Sequence, residues 1–405
     1  GIGYHSLKSN TSASNNTAVG VDSLTANTTG TKNTSVGKNS LASNTTGNCN
    51  TALGVDALTT NSTGQNNTGI GEHALTNNTT ANNNTAVGYF SLNTNSTGGQ
   101  NVGIGCGALR SNTTASENVA VGHSALGANT TASCNTAVGC GAMKSNTTGS
   151  VNTAFGRGAL CSNTTGVNST AIGQLALRDQ TTAGSGNVAV GDLAALATTT
   201  GGHNVVMGNS AFRCNTTGAN NTAIGVFALM ENTTAGDNVA VGCRALCDNT
   251  TGTRNVAVGN LTLDNGNANS NSVAIGFAAL SNTANSSSSN TAVGSTALLS
   301  NVANNNTAVG MESLYSNTTG TANLAVGAYA MCLNTSASNN TAVGVSSLLV
   351  NTTGTANVGV GRDSLVANTT GADNTGIGFQ ALCTLTVGNR NTAVGKNALL
   401  NMSGS

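Results

Sequence analysis

This sequence has no tryptophan and no proline, and only 2% of its 405 residues are aromatic and 6% charged. So few rings exclude an ordinary globular interior, which draws most of its buried area from large aromatic and branched side chains. So little charge excludes the solvated, self-repelling chain of a disordered protein. Thirteen basic residues balance thirteen acidic ones, which removes the footprint of a nucleic-acid binder or of a basic membrane-surface segment. No apolar run reaches the roughly 18 residues of a membrane-spanning helix. The chain opens on Gly1-Ile2-Gly3, without an initiator methionine or a signal peptide and already inside a repeat. It is therefore expected to be a segment of a longer protein.

What the sequence does have is one phrase, written again and again. Asn16 to Gly30 reads NTAVGVDSLTANTTG, Asn33 onward NTSVGKNSLASNTTG, and Asn50 onward NTALGVDALTTNSTG. Aligned on the glycine that closes Thr-Ala-Val-Gly, the series runs from Gly3, Gly20 and Gly37 to Gly395, giving 24 units. Every step is 17 residues except Gly173–Gly191 and Gly276–Gly294 at 18 and Gly294–Gly310 at 16. A fixed short period is the mark of a stacked array, and no shift in composition divides it. One continuous domain, 1–405, is expected.

Asn, Thr, Gly and Val are poor helix formers, and 17 residues are too few for a helical hairpin. Thr-Ala-Val-Gly alternates as a strand would, with Thr and Val expected on one side and Ala and Gly forming a smooth outer strip. A second short segment places Leu four residues after the glycine, and Asn-Thr-Thr-Gly supplies turn chemistry. Two short strands and two turns per repeat predict an all-β, parallel β-solenoid (β-roll or β-helix) of 24 coils. Like residues would stack at about 4.8 Å, Leu24 under Leu41, Leu58 and Leu75, over a length of roughly 115 Å.

Asn271-Ser-Val-Ala-Ile-Gly276, with Asn118-Val-Ala-Val-Gly122 and Asn238-Val-Ala-Val-Gly242, resembles the repeat of trimeric autotransporter adhesin heads. The longer pattern Asn-Thr-Ala-x-Gly-x-x-Ala-Leu-x-x-Asn-Thr-Thr-Gly resembles Asn/Thr-rich arrays in tail-fibre-like surface proteins. The resemblance covers the whole chain, although the adhesin heads use a shorter repeat without the Asn-Thr-Thr-Gly insertion. It implies a parallel β-roll, a homotrimer, self-association into a fibre, and a place on a cell or virion surface with a cell-surface ligand.

Seven residues after the glycine, 17 of the 24 units carry Asn-x-Ser/Thr. These are Asn10, Asn27, Asn44, Asn61, Asn78, Asn95, Asn112, Asn129, Asn146 and Asn163, then Asn215, Asn232, Asn249, Asn317, Asn334, Asn351 and Asn368. Three readings compete: a ladder of carboxamides bonded from coil to coil, a column of N-linked glycans on an exposed edge, and an ice-templating threonine array. The last is disfavoured because adjacent threonines on a strand face opposite ways.

Nothing converges as a catalytic set would. Asp22, Asp56, Glu72, Asp192, Glu312 and Asp363 share a turn with Lys38, Arg157, Arg244, Arg362 and Lys396, and His5, His73, His123 and His203 stand alone. No calcium repeat, zinc spacing or phosphate-binding glycine loop occurs, so no cofactor, no metal and no enzyme are expected. Of the ten cysteines, Cys140 with Cys134 or Cys161, and Cys243 with Cys247, are the pairs close enough for a disulfide. The leading reading is a rigid extracellular fibre or spacer. The alternative is an adhesin whose binding face lies where the repeat breaks, at 178–186 or 281–290.

Overall fold

A computed structural model describes residues 1–181, 184–282 and 287–402. The chain divides into two compact units, Gly1–His203 and Asn204–Ser405. Both are parallel β-solenoids of 17-residue coils. In the first unit, eleven three-residue strands run from β1 (Thr17–Val19) to β11 (Val188–Val190). Each pairs in parallel with the next, as Thr17 with Thr34 and Val19 with Val36, and Ile2 adds a bridge to Val19 ahead of them. In the second unit, twelve strands run from β12 (Val205–Met207) to β23 (Thr392–Val394) in the same pattern. The irregular steps leave the register intact: Thr170 pairs with Val188, Val273 with Thr291, and Thr291 with Thr307.

Among the described residues, strands account for 23 of the 24 repeats, with one strand per coil, not two. The Ala/Ser-Leu segment is a turn of alternating hand. In the coil that starts at Gly20, left-handed backbone occurs at Gly20 (φ 133°), Asp22 (55°), Leu24 (52°) and Lys32 (58°), and the pattern recurs along the chain. The turn sends its N–H groups first toward the preceding coil and then toward the next. Asp22 donates back to Tyr4 O at 2.9 Å, while Leu24 and Ala26 donate forward to Ser40 O and Ala42 O at 3.0 Å. A left-handed leucine costs about 1–2 kcal/mol. Complete burial of its side chain offsets this.

The inside and outside of the strand are the reverse of the sequence expectation. Ala18, Ala52, Ala86 and their mates are fully buried, while the flanking Thr and Val are partly exposed. The reason is the width of the coil. A Cβ built on Gly69, in the alanine column, would lie 3.2 Å from Leu58 Cγ, so the leucine column fills the coil and leaves room mainly for small residues opposite it. Val206 is buried in this column one coil after Ala195 replaces the leucine. The repeat glycine has its own constraint. A Cβ on Gly122 would lie 2.6 Å from Gly139 O, at a backbone angle that L-residues avoid.

Candidate functional site

The dominant chemistry of the coil is carboxamide. Asn44 donates Nδ2–H to Oδ1 of Asn27 at 2.8 Å and to the carbonyl of Gly47 at 3.1 Å. Asn61 does the same to Asn44 at 2.9 Å and to Gly64 at 3.0 Å. The sequence reading missed a second column, the asparagine that precedes most of the strands. Asn33 donates its backbone N–H to Oδ1 of Asn16 at 2.9 Å and its Nδ2–H to Gly47 O at 2.8 Å. Asn50 then donates its backbone N–H to Oδ1 of Asn33 at 2.9 Å. Gly47 O thus accepts from both columns and ties them together. The signal was present, since Asn stands four residues before the glycine in most units, but its meaning depends on the coil above.

This geometry corrects the glycan reading. In the first unit Asn27, Asn44, Asn61, Asn78, Asn95, Asn112, Asn129, Asn146 and Asn163 have no exposed surface. In the second, Asn215, Asn232, Asn249, Asn317, Asn334, Asn351 and Asn368 are equally buried. Asn10 is half-buried as the first rung, its Oδ1 accepting from Asn27 at 2.8 Å. A sugar on Nδ2 would break the rung and has no space inside the coil. Of the three readings, the Asn ladder is the one the coordinates show.

The ladder is interrupted at named places. Gln180 occupies one rung, and its longer amide reaches Ser169 Oγ at 3.0 Å, where a serine replaces asparagine in the second column. Gly266 and Leu385 occupy two others. In the rungs preceding them, Oδ1 of Asn249 and of Asn368 have no hydrogen-bond partner, because neither glycine nor leucine offers a side-chain donor. Parts of both expected binding breaks, residues 182–183 and 283–286, lie outside the described residues.

All ten cysteines are free, against the disulfides expected of Cys140 with Cys134 or Cys161 and of Cys243 with Cys247. Cys134, Cys140 and Cys243 face solvent, Cys161 is half-buried, and Cys247 is buried. Cys134 donates to Glu117 at 3.4 Å, and that bond raises its thiol pKa. Burial, then Asp248 and Asp264, push Cys247 up to about 12.

Cys247, Asp248 and Asp264 bring ligand atoms within 4.8 Å of one another. Arg244 already supplies the positive charge, its Nε donating to Asp264 Oδ2 at 3.2 Å, and a thiol held at about 12 is a poor source of thiolate. Two of the four histidines are not isolated, because stacking places each beside a residue 17 positions away. His5 Nδ1 lies 3.2 Å from Asp22 and His73 Nδ1 lies 3.9 Å from Asp56.

The first unit also carries a side-chain cluster that no sequence pattern marked. Tyr89 and Phe90 meet edge to face at 4.4 Å, His73 stacks on Phe90 at 4.8 Å, and the Arg110 guanidinium lies over the Phe90 ring at 5.1 Å. Tyr89, Phe90 and Arg110 border an open groove of about 570 Å³ that extends past Gly107, Ser124 and Gly127 to Lys144. No helix among the described residues is long and apolar enough to cross a membrane. Comparison with protein-family models and with curated proteins finds no match for the chain.

Proposed function

We propose that the chain is a non-catalytic structural array, a spacer in a fibre on the outside of a cell or virion, as its resemblance to surface-fibre repeats implies. The carrying observation is the pair of Asn columns. They commit the most abundant polar side chains to holding one coil on the next, and leave them nothing to do with a substrate. Among the described residues, no carboxylate lines the groove that holds Cys106, His123 and Ser124, and the close His–carboxylate pairs join side chains of neighbouring coils or of neighbouring residues.

If length is the function, the phenotype scales with the number of coils. In the source organism, arrays shortened by whole 17-residue units should weaken attachment or reach in proportion, whichever units are removed. Loss of function on removal of one particular coil, with no effect from the others, would overturn the spacer reading.

Self-association, including a homotrimer, is supported by the outer face of the strands. Leu53, Ile104 and Phe155 in the first unit are 47%, 39% and 55% exposed along one column. Exposed apolar rows of this kind mark contact surfaces. Sedimentation at micromolar concentration should give a species larger than 39.5 kDa. A monomer under those conditions would end that part of the proposal.

A further inference from the structure

We infer that the groove beside Tyr89 and Arg110 is a binding site for a sugar ring bearing a carboxylate. This goes beyond the spacer reading and does not depend on it.

Its construction starts from the stacked columns. His73, Phe90, Gly107 and Ser124 occupy the same place, two residues after the glycine, in four successive coils. The first two stack ring on ring at 4.8 Å, the spacing of the coils themselves. Gly107 then offers no side chain, and a Cβ placed there would meet only Ser124 Oγ at 3.7 Å. In the column five residues after the glycine, Gly127 likewise separates Arg110 from Lys144. The two glycines open the floor of a groove of about 570 Å³, within the roughly 300–1,000 Å³ of small-molecule sites.

The walls supply three kinds of contact. Tyr89, 50% exposed, offers an aromatic face for the apolar side of a sugar ring. Phe90 holds the Arg110 guanidinium at the rim. Arg110 and Lys144 have no carboxylate partner among the described residues, and no acidic residue lines the groove. Ser111 and Ser124 line the same space, and their hydroxyl groups suit the hydroxyls of the ring. A ring, hydroxyl acceptors and one negative charge satisfy this set together, and a neutral sugar leaves both cations unpaired.

The test is isothermal titration of the full chain, at low salt, with a disaccharide ending in glucuronate. Its glucose-terminated counterpart and adenosine monophosphate serve as comparison probes. Saturable binding of the acidic sugar is expected, weaker by about tenfold or more for the neutral one, since a charge-assisted bond is lost. Binding should also vanish in R110Q/K144Q and in Gly107→Asn, which fills the floor. The fold tolerates that asparagine, because Asn39 holds the same place in its coil with φ 56°. Circular dichroism checks that both variants keep the wild-type spectrum. No saturable heat, equal binding of the neutral sugar, undiminished binding by either folded variant, or preference for the nucleotide would each overturn the assignment.

Discussion

At the scale of the residue, each ladder asparagine is both donor and acceptor, and a replacement that is not both leaves a rung unmade. Asn95 donates to Asn78 Oδ1 at 3.0 Å and accepts from Asn112 at 2.8 Å. Asn95→Ala removes the main donor to a buried oxygen and should cost about 1–3 kcal/mol. Asn95→Asp keeps the shape but puts a buried carboxylate against that same oxygen, and should cost more at neutral pH. The loss should shrink in acid, where the carboxyl protonates and donates again. Urea unfolding of both variants at two pH values measures this, and equal midpoints at neutral pH would contradict it.

Asp264 makes the same point in the native chain. Burial raises its carboxyl above 3.8, with Arg244 opposing. A raised carboxyl binds its proton more tightly when folded, so its contribution to stability is full below 3.8 and is lost as pH rises through the elevated value. Relative to D264N, the wild type should lose stability over that window. A pH-independent difference between the two would refute the direction.

At the scale of the element, the unit is a single coil together with the rung it completes. Gly266 interrupts the Asn column and leaves Asn249 Oδ1 unpartnered. Gly266→Asn restores the donor and also stiffens the unfolded chain, so it should stabilise by about 1–2 kcal/mol. Thermal unfolding will show a rise, and a fall would mean that the coil there cannot take the side chain.

The period, the parallel register and the leucine column were legible in the sequence, because a ladder of like on like is visible as repetition. Which side of the strand faces inward was not. Val in Thr-Ala-Val is the more hydrophobic choice for a core, yet the position facing the leucine column has room for little more than a small side chain in so narrow a coil. The left-handed leucines were hidden too, since turn propensity pointed to Asn and Gly instead. The groove could not be read at all. It comes from Tyr89, Arg110 and Lys144, 21 and 34 residues apart in sequence and made neighbours only by stacking.

At the scale of the whole molecule, stability should be a sum over coils and their interfaces, as in other one-dimensional repeats. Removing residues 38–54, one full repeat within the first unit, closes Gly37 onto Val55 in phase. The urea m-value should fall in proportion to the residues lost, with the midpoint little changed. Removing 38–45 instead leaves one coil too short to complete its turn, breaks every column at that point, and should lower the midpoint or split the transition. Equal tolerance of the two deletions would rule out the ladder as the source of order.

Direction is the remaining property of the columns. In the first unit every ladder asparagine, from Asn27 to Asn163, points its Nδ2–H toward the preceding coil and its oxygen toward the next. The carboxamide dipoles are therefore aligned head to tail, and each polarises its neighbours. The column has an electrical sense, positive toward the amino terminus and negative toward the carboxyl terminus, although the chain carries no net charge. In the second unit Gly266 and Leu385 each leave one bare oxygen at the negative end of such a run, so each of these two interruptions is also a break in that alignment.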